Sequence, residues 1–229
     1  MSMKLLITSG GTTEKIDTVR GITNHSTGRL GAIIAQKFLN QGHDVTLVTT
    51  KSAIKPHQHS HLTTIDITTV ADLMAVLENE VPKHQVLIHS MAVSDYTPVY
   101  MTDFESVNES DDLSQFLHHQ NDQGKISSQS DYQVLFLKKT PKVISYVKQW
   151  HPQIHLFGFK LLVDVAKEEL IKVARESLKK NKADYILAND LKDITDKGHK
   201  ALLVSETQVE QADTKEAIAQ LIYEKVSQL

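Results

Sequence analysis

Short apolar runs that end in turns alternate along this chain with stretches of helical period, and no other feature constrains the fold as much. The first run, Lys4–Thr8, stops at Ser9-Gly10-Gly11, as a buried strand does when it enters a turn. Between such runs, apolar residues form single helical stripes, as at Leu30, Ile34 and Phe38. Further runs of the strand type lie at 45–49, 86–89, 134–137, 156–159, 185–188 and 202–204.

Alternating strands and helices predict right-handed crossovers and a mainly parallel sheet with helices on both faces. We therefore predict one α/β domain over residues 1–229, or at most two small ones. Other helical stripes lie at 70–77 and 218–222, and the spacing of Asp213 and Glu216 predicts that Asp213 caps the last helix. Ligands of such sheets bind beyond the carboxyl ends of the strands, so motifs that follow strands are the candidates for a site.

Composition excludes several function classes. The 229 residues contain no cysteine, which rules out catalytic thiols and thiolate zinc sites and is typical of a reducing compartment. Lys+Arg 25 against Asp+Glu 28 gives a net charge of -3, which argues against a dedicated nucleic-acid binder. No apolar run approaches the roughly 18 residues of a membrane span. We expect a cytoplasmic protein that binds neither nucleic acid nor membrane.

Glycines and hydroxyl residues follow the first strand directly, in the run TSGGTTE. Glycine lets backbone amides approach a ligand closely, and successive N–H groups in such a turn form a concave anion site. Gly10, Gly11 and Thr12 are therefore candidate phosphate-binding residues. The run matches neither GxGxxG nor GxxxxGK[ST], so a plain glycine turn at the end of a strand is the alternative.

Two of the three arginines in the chain, Arg20 and Arg29, flank a motif that runs into a predicted helix. Arginine offers a planar fork for phosphate or carboxylate, so scarce arginines beside a helix N-terminus indicate an anion site. Asn24, between them, supplies an amide that can hold a carbonyl or acyl oxygen. The alternative is that Ser26 or Thr27 simply caps the helix.

Three further candidates follow strands or end a helix. Asp95 comes after the run 86–89 and can bind a ribose hydroxyl, a base amine or a metal, or can form a turn. Lys138 and Lys139 stand at a predicted strand-to-helix junction before a proline suited to the first helical turn. Lys180 lies near the end of a predicted helix, where a lysine also satisfies the helix dipole.

Two polar segments complete the inventory. The histidine-rich run 57–61 is interpreted as a surface loop rather than a metal site, because zinc needs a fixed geometry and supporting partners. The acidic segment 103–130 carries one base, Lys125, and is predicted to be a mobile excursion from the sheet. A loop of this length inside a compact domain is either functional or disordered.

The segments TSGGTTEKID, DTVRGITNHSTGRLG, MAVSDY, KKTP, GF and ILAND occur in the order and with the spacing of a known family. On these motifs, which span residues 4 to about 190, the chain resembles phosphopantothenoylcysteine synthetase, or phosphopantothenate-cysteine ligase, in its single-domain bacterial form. The resemblance implies a Rossmann-like fold with a mobile flap and a small dimerisation extension.

The resemblance also implies an activity. The family joins 4'-phosphopantothenate to L-cysteine, usually with CTP in bacteria, through an acyl-nucleotide intermediate that needs no covalent enzyme nucleophile. Magnesium and lysines would neutralise the charge that develops when pyrophosphate leaves. The magnesium ligands, the cysteine pocket and the choice of CTP over ATP are not assigned by these motifs.

Residue roles follow by matching positions in the motifs. Asn24 corresponds to the asparagine that holds the acyl-nucleotide, and Arg20 and Ala92 fall among the substrate contacts. The positions that correspond to nucleotide contacts, together with the glycine loop, are Met91, Asp95, Lys138, Lys139, Thr140, Pro141, Phe159 and a lysine near Lys180.

Lys125 aligns with the first lysine of the family's KxKK flap, although here the flap reads KISS. The resemblance thus implies that Lys125 reaches the triphosphate while the flap excludes water from the intermediate. It also implies a homodimer in which the partner chain completes the substrate pocket.

Two functions from other classes are kept as alternatives. An NAD(P)-dependent oxidoreductase also opens with strand, glycines and helix, but the run 45–49 ends without the acidic residue that binds ribose, and the glycine spacing differs. Lys51 can pair with the 2'-phosphate of NADP, so NADP is not excluded. A binding module without catalysis is the reading that loss of the later flap lysines favours.

Overall fold

The computed structural model describes residues 2–118, 129–195 and 198–229. Its strands, in chain order, are β1 Lys4–Thr8, β2 Thr13–Lys15, β3 Gly21–Thr23, β4 Asp44–Thr49, β5 Leu62–Asp66, β6 Val86–His89, β7 Tyr96–Asp103, β8 Gln133–Lys139, β9 His155–Leu162, β10 Tyr185–Asp190, β11 Ala201–Val204 and β12 Val209–Ala212. The helices are α1 Arg29–Asn40, α2 Val70–Glu80, α3 Phe104–Asn108, α4 Val147–Trp150, α5 Lys167–Asn181 and α6 Lys215–Val226.

A central sheet of eight strands has the order β12-β11-β10-β9-β6-β1-β4-β5. The six strands from β10 to β5 are mutually parallel, whereas β11 and β12 pair in antiparallel fashion at one edge. The predicted α/β class with a mainly parallel sheet is confirmed. The run 202–204 is a strand as predicted, but it joins the antiparallel part of the sheet.

Helices cover both faces of the sheet, as predicted, because each strand buries apolar side chains on alternate sides. On one face α1 and α6 pack through Ile34, Phe38 and Ile222 against strand residues such as Ile7. On the other face α2, α4 and α5 pack against residues such as Leu87. Each helix thus presents a single apolar stripe to the sheet, which is what the helical periodicity in the sequence indicates.

Two small antiparallel units stand outside the central sheet. The hairpin of β2 and β3 follows the first strand, and the ribbon of β7 and β8 follows β6. The run 134–137 is a strand as predicted, but it lies in this ribbon and not in the central sheet. This run pairs with β7 instead, where Phe136 stacks on Phe116 with ring centroids 5.1 Å apart.

The acidic segment is more ordered at its start than predicted. The ribbon leads into α3, which Asp103 caps by accepting from the Ser106 amide, and a 3-10 helix follows at Leu113–Leu117. These residues form local structure because aspartates at 103 and 112 cap the two helical turns. Lys125 lies outside the described residues.

Two predicted helix caps are corrected by the structure. The last helix is capped by Thr214, whose hydroxyl accepts from the Ala217 amide, and not by Asp213. The first helix begins after Gly28, which has φ 75° and is the N-cap in place of Ser26 or Thr27, although the Thr27 hydroxyl accepts from the Arg29 amide at 3.3 Å. Within the described ranges, the helices are too short or too polar to cross a bilayer.

Candidate active site

The strand order reverses between β1 and β6. From β1 the chain moves through α1 to β4 and β5 on one side, then returns through α2 to β6 on the other side of β1. Open parallel sheets bind their ligands in the crevice beyond the carboxyl ends of strands at such a reversal. The residues that follow Thr8 and His89 therefore lie at the position where a ligand is expected.

The glycine loop after β1 is joined to the loop after β6 by backbone hydrogen bonds. The Thr12 amide donates to the Ala92 carbonyl at 3.0 Å, and the Ala92 amide donates to the Gly10 carbonyl at 2.9 Å. Within the described residues, the amides of Gly10 and Gly11 have no hydrogen-bond partner. Two adjacent N–H groups at a strand end can bind an anion such as phosphate.

Gly11 also brings the Asn24 segment against this loop. A Cβ atom on Gly11 would collide with the backbone carbonyl oxygen of Asn24. The exposed Asn24 side chain thus projects from a backbone that touches the glycine loop. The structure brings together Gly10, Gly11, Thr12, Ala92 and Asn24, five of the residues expected at the site.

Arg20 sits at the tip of the β2–β3 hairpin and is held by Asp17. Its Nε and Nη2 donate to Asp17 Oδ2 at 3.0 and 2.6 Å, while Asp17 Oδ1 accepts from the amides of Val19 and Arg20. The Asp17 carboxylate is fully buried. The Arg20 guanidinium, which was predicted to bind an anion, therefore faces Asp17, and this contact fixes its orientation.

Glu14 is a residue that the sequence reasoning missed. It is buried on β2, and its Oε1 accepts from the Val70 amide at 2.7 Å. Val70 begins α2, so the carboxylate also sits at the positive end of a helix dipole. The hairpin that carries Arg20 is therefore tied to the body of the protein. An acid inside the polar run TTEKID was the available signal.

The loop after β6 carries Met91 and Asp95 and meets the KKTP segment. Met91 is buried in the core, whereas Asp95 is exposed and accepts from Lys142 Nζ at 3.2 Å. The Thr140 amide donates to the Asp95 carbonyl at 3.0 Å. Lys138 and Lys139 end β8 just before this contact, and both are exposed together with the following Pro141. These lysines are strand residues, although the sequence placed them after the strand.

The central sheet splits beside this loop. β6 ends where His89 pairs with Gly158, while β9 continues to Leu162 with only β10 as its partner. Phe159, partly buried, is the first β9 residue past the split. Phe159 therefore lies just beyond the carboxyl end of β6, next to the loop that follows His89.

Lys180 is not brought to this crevice within one chain. It lies in the last turn of α5, which joins the carboxyl end of β9 to the amino end of β10. The last turn of such a crossover lies at the amino edge of a parallel sheet, opposite the crevice. The exposed Lys180 side chain therefore stands apart from the other candidate residues.

His89 lies at the floor of the crevice and was not identified from sequence. Its Nδ1 is 2.8 Å from Thr8 Oγ1, and both residues are buried at neighbouring strand ends. Burial lowers the pKa of the imidazole to about 4, and the nearby Lys142 ammonium acts in the same direction. His89 is therefore a neutral polar group at physiological pH. No motif in the sequence marks it as a site residue.

Asp190 fixes the end of β9. It is buried, and its two carboxylate oxygens accept from the amides of Asp164, Val165 and Lys192 at 2.8 to 3.0 Å. Burial alone would raise the pKa of Asp190, but these amides and the Lys192 ammonium lower it to about 2. The aspartate of ILAND thus holds the turn after β9 in place next to the split.

A bound metal has few carboxylate ligands available here. The described part of the chain contains no group of three His, Asp or Glu residues that can hold a metal ion. Asp95 and Asp17 each contact a cation already. Magnesium usually keeps several waters and binds one or two carboxylates plus substrate phosphates.

The complete chain matches the family described as the DNA/pantothenate metabolism flavoprotein C-terminal domain, over residues 1–115 and 112–229. The chain belongs to this family. Membership confirms the resemblance to phosphopantothenoylcysteine synthetase that the motifs indicate. It also agrees with the fold, because the match continues through the whole central sheet.

Individual relatives extend the comparison. The coenzyme A biosynthesis bifunctional protein CoaBC of Thermococcus kodakarensis is 30% identical over 99% of this chain and 51% of its own length. The chain thus spans about half the length of the curated relatives it matches. The crystal structure of a DNA/pantothenate metabolism flavoprotein from Streptococcus pneumoniae is 56% identical, with a TM-score of 0.95 and 99% of each chain covered.

A more distant structure shares the fold alone. A Cab2 mutant in complex with phosphopantothenate-cysteine superimposes with a TM-score of 0.74 at 18% identity, covering 99% of this chain and 87% of its own. At this identity the likeness carries the sheet order and no residue roles.

Proposed function

We propose that this protein is a ligase of coenzyme A biosynthesis that joins 4'-phosphopantothenate to L-cysteine with CTP. One observation carries the proposal: the glycine loop, the Asn24 segment, the MAVSD loop and the KKTP segment are bonded or packed together at the strand reversal. These motifs are far apart in sequence. Their convergence is expected if all of them bind one nucleotide and one acid.

In the first step a carboxylate oxygen of phosphopantothenate attacks the α-phosphorus of CTP, and pyrophosphate leaves as the P–O bond breaks. We assign the unpaired amides of Gly10 and Gly11 to phosphate oxygens. We assign Lys138 and Lys139, which are exposed at the end of β8, to the negative charge that grows on pyrophosphate. Magnesium bound to the triphosphate would supply further charge neutralisation.

In the second step the cysteine amine attacks the activated carbonyl carbon, and CMP leaves with the bonding electron pair. The amine loses a proton as the amide forms. We assign to Asn24 the task of holding the acyl oxygen in place, because its side chain is uncharged and projects beside the glycine loop. Arg20, oriented by Asp17, is assigned to an anionic group of phosphopantothenate.

We assign the base of the nucleotide to the split between β6 and β9. Met91 and Phe159 flank this split, and the unpaired edge of β9 offers backbone donors and acceptors. Lys125 is proposed to act on the triphosphate, as the flap of the family implies. The proposal places the reaction in the cytoplasm, and the lack of cysteine in the chain fits a reducing compartment.

We further propose a homodimer. Several apolar side chains of the ribbon and its flanks are exposed, and they would be covered by a second chain: Tyr96, Phe104, Leu117, Tyr132 and Leu137. Exposed apolar groups in one region are typical of an interaction surface. Light scattering that gives a monomer at assay concentration would overturn this part. Lys180 reaches the site only if a partner chain carries it there.

The test is a panel of purified protein, phosphopantothenate and each of the four nucleoside triphosphates, with and without cysteine. Pyrophosphate release should require phosphopantothenate and be fastest with CTP, and product should form only with cysteine. Pyrophosphate release with ATP but not with CTP would show that ATP is the co-substrate. No release with any nucleotide would refute the ligase and favour a binding module.

The oxidoreductase alternative gains no support from the structure. At the end of β4, the carbonyls of Thr50 and Lys51 accept from Lys55 Nζ at 3.0 and 3.2 Å. A cation therefore occupies the position where a fold that binds NAD places the carboxylate for the ribose, which argues against NAD; NADP, whose 2'-phosphate a cation suits, is left to the titration. An absorbance titration with NADPH that shows no binding would agree with this assignment.

A further inference from the structure

Three buried or half-buried hydroxyls connect three of the site loops. Thr12 Oγ1 donates to Ser94 Oγ at 3.0 Å and accepts from the Ser94 amide at 2.9 Å. Thr140 Oγ1 donates to the Ser94 carbonyl at 2.6 Å. Thr12 belongs to the glycine loop, Ser94 to the loop after β6, and Thr140 to the KKTP segment. One chain of hydrogen bonds thus runs across all three.

This network lies where both strands of the ribbon leave the body of the protein. Ser94 is two residues before Tyr96, and Thr140 follows Lys139, which pairs with Tyr96 as the first rung of the ribbon. The Thr140 amide also donates to the Asp95 carbonyl. A tilt of the ribbon would have to stretch these bonds, because they join both of its ends to Thr12.

The other end of the network is equally fixed. The Thr12 amide donates to the Ala92 carbonyl, and Gly10 and Gly11, with their unpaired amides, directly precede Thr12. Thr12 and Ser94 are both buried, so their bonds are protected from competing water. The ribbon and the anion-binding amides are therefore parts of one hydrogen-bonded unit.

We propose that Thr12, Ser94 and Thr140 are positioning residues that set the orientation of the ribbon relative to the glycine loop. Groups carried by the ribbon then meet a nucleotide held by that loop in one geometry. The effect on catalysis rests on the proposed ligase function, whereas the effect on the ribbon does not. Buried hydroxyls usually form hydrogen bonds whatever their role. The test must therefore distinguish an effect on the orientation of the ribbon from the ordinary cost of losing a buried hydrogen bond.

The test compares Ser94→Ala, Thr140→Val and Thr140→Ser with wild type. Ser227→Ala is the control, because Ser227 also donates to a backbone carbonyl, that of Tyr223 at 2.8 Å, far from the ribbon. Amide hydrogen exchange of β7 and β8 is measured without ligands. The rate of pyrophosphate release is measured across nucleotide concentrations, and the thermal midpoint shows that each variant is folded.

In Ser94→Ala and Thr140→Val, we expect exchange in β7 and β8 to rise about tenfold, the change that corresponds to one hydrogen bond. We expect kcat for pyrophosphate release to fall by a similar factor of about ten, with a smaller change in KM for the nucleotide. Thr140→Ser keeps the hydroxyl and should show ribbon exchange at the wild-type rate, and the control should match wild type in both measurements.

Ribbon exchange at the wild-type rate in both Ser94→Ala and Thr140→Val would overturn the proposal. So would a Thr140→Ser variant as impaired as Thr140→Val, because the effect would then belong to the lost methyl group and not to the hydroxyl. If wild type releases no pyrophosphate but the ribbon still loosens in the variants, the ligase assignment fails and the positioning role stands.

Discussion

The buried His89 makes the stability of this protein sensitive to mild acid. In the unfolded chain a histidine has its ordinary pKa of about 6.5, whereas in the folded protein burial, with Lys142 nearby, lowers the pKa of His89 to about 4. Above the unfolded value both states are neutral, and His89 contributes no pH dependence. As the pH falls below the unfolded pKa, His89 is protonated in the unfolded chain but stays neutral in the folded protein, so the free energy of unfolding decreases.

The size of the effect follows from the two pKa values. The lowered pKa of His89 decreases the free energy of unfolding by about 3 kcal/mol once the pH has fallen to the folded pKa. About 2 kcal/mol of this decrease has occurred by pH about 5. Such a loss is a large fraction of the stability of a typical domain. His199 acts in the same window, because burial and then Lys215 also lower its pKa to about 4. The Asp190 carboxylate acts at lower pH, since its folded pKa is about 2.

The assay is urea unfolding followed by circular dichroism, at pH about 7.5 and about 5, for wild type and His89→Gln. Glutamine does not titrate and can still reach the Thr8 hydroxyl that His89 contacts. The variant should lose about 2 kcal/mol less than wild type between the two pH values. His57→Gln, which changes an exposed loop histidine, is the control and should follow wild type. Equal losses in wild type and His89→Gln would refute the argument.

Three further outcomes are expected. Asn24→Asp should slow product formation at least about tenfold, because a carboxylate would face the acyl phosphate; wild-type single-turnover kinetics would remove Asn24 from the site. Lys125→Ala should lose turnover but leave the thermal midpoint unchanged, and full activity would end its assignment to the flap. Gly11→Ala should fold but bind the nucleotide weakly, because its Cβ displaces the Asn24 carbonyl; an unchanged Kd by calorimetry would contradict the close contact.

Much of the central sheet was predictable because its inner strands are continuous apolar runs. Run 86–89 became β6 with the same bounds, and the stripe that begins at Val70 became α2. The two missed edge strands, β5 and β12, carry polar residues because an edge strand is only partly covered. Run 134–137 has the same pattern as a core strand, and only its partner β7 places it in the ribbon.

The site was predictable as a set of loops, but not in its internal bonds. Position after a strand correctly brought Gly11, Ala92 and Asp95 to one edge. Sequence distance hides the pairing of Ser94 with Thr12, and no motif marks His89. The separate position of Lys180 was derivable, since a helix that links two parallel strands must end at the edge opposite to its start.

Two ion pairs among the candidate site residues differ in how readily a ligand can rearrange them, and this difference bears on the roles of their cations. Lys142 and Asp95 are both largely exposed, so their pair contributes about 0–1 kcal/mol and a triphosphate can draw the lysine away. Arg20 is bound through two nitrogens to the fully buried Asp17, so separating them would take a cation away from a buried carboxylate. Under the proposed ligase function, Arg20 would therefore meet a substrate as a fixed group, whereas Lys142 could follow the phosphates as pyrophosphate departs.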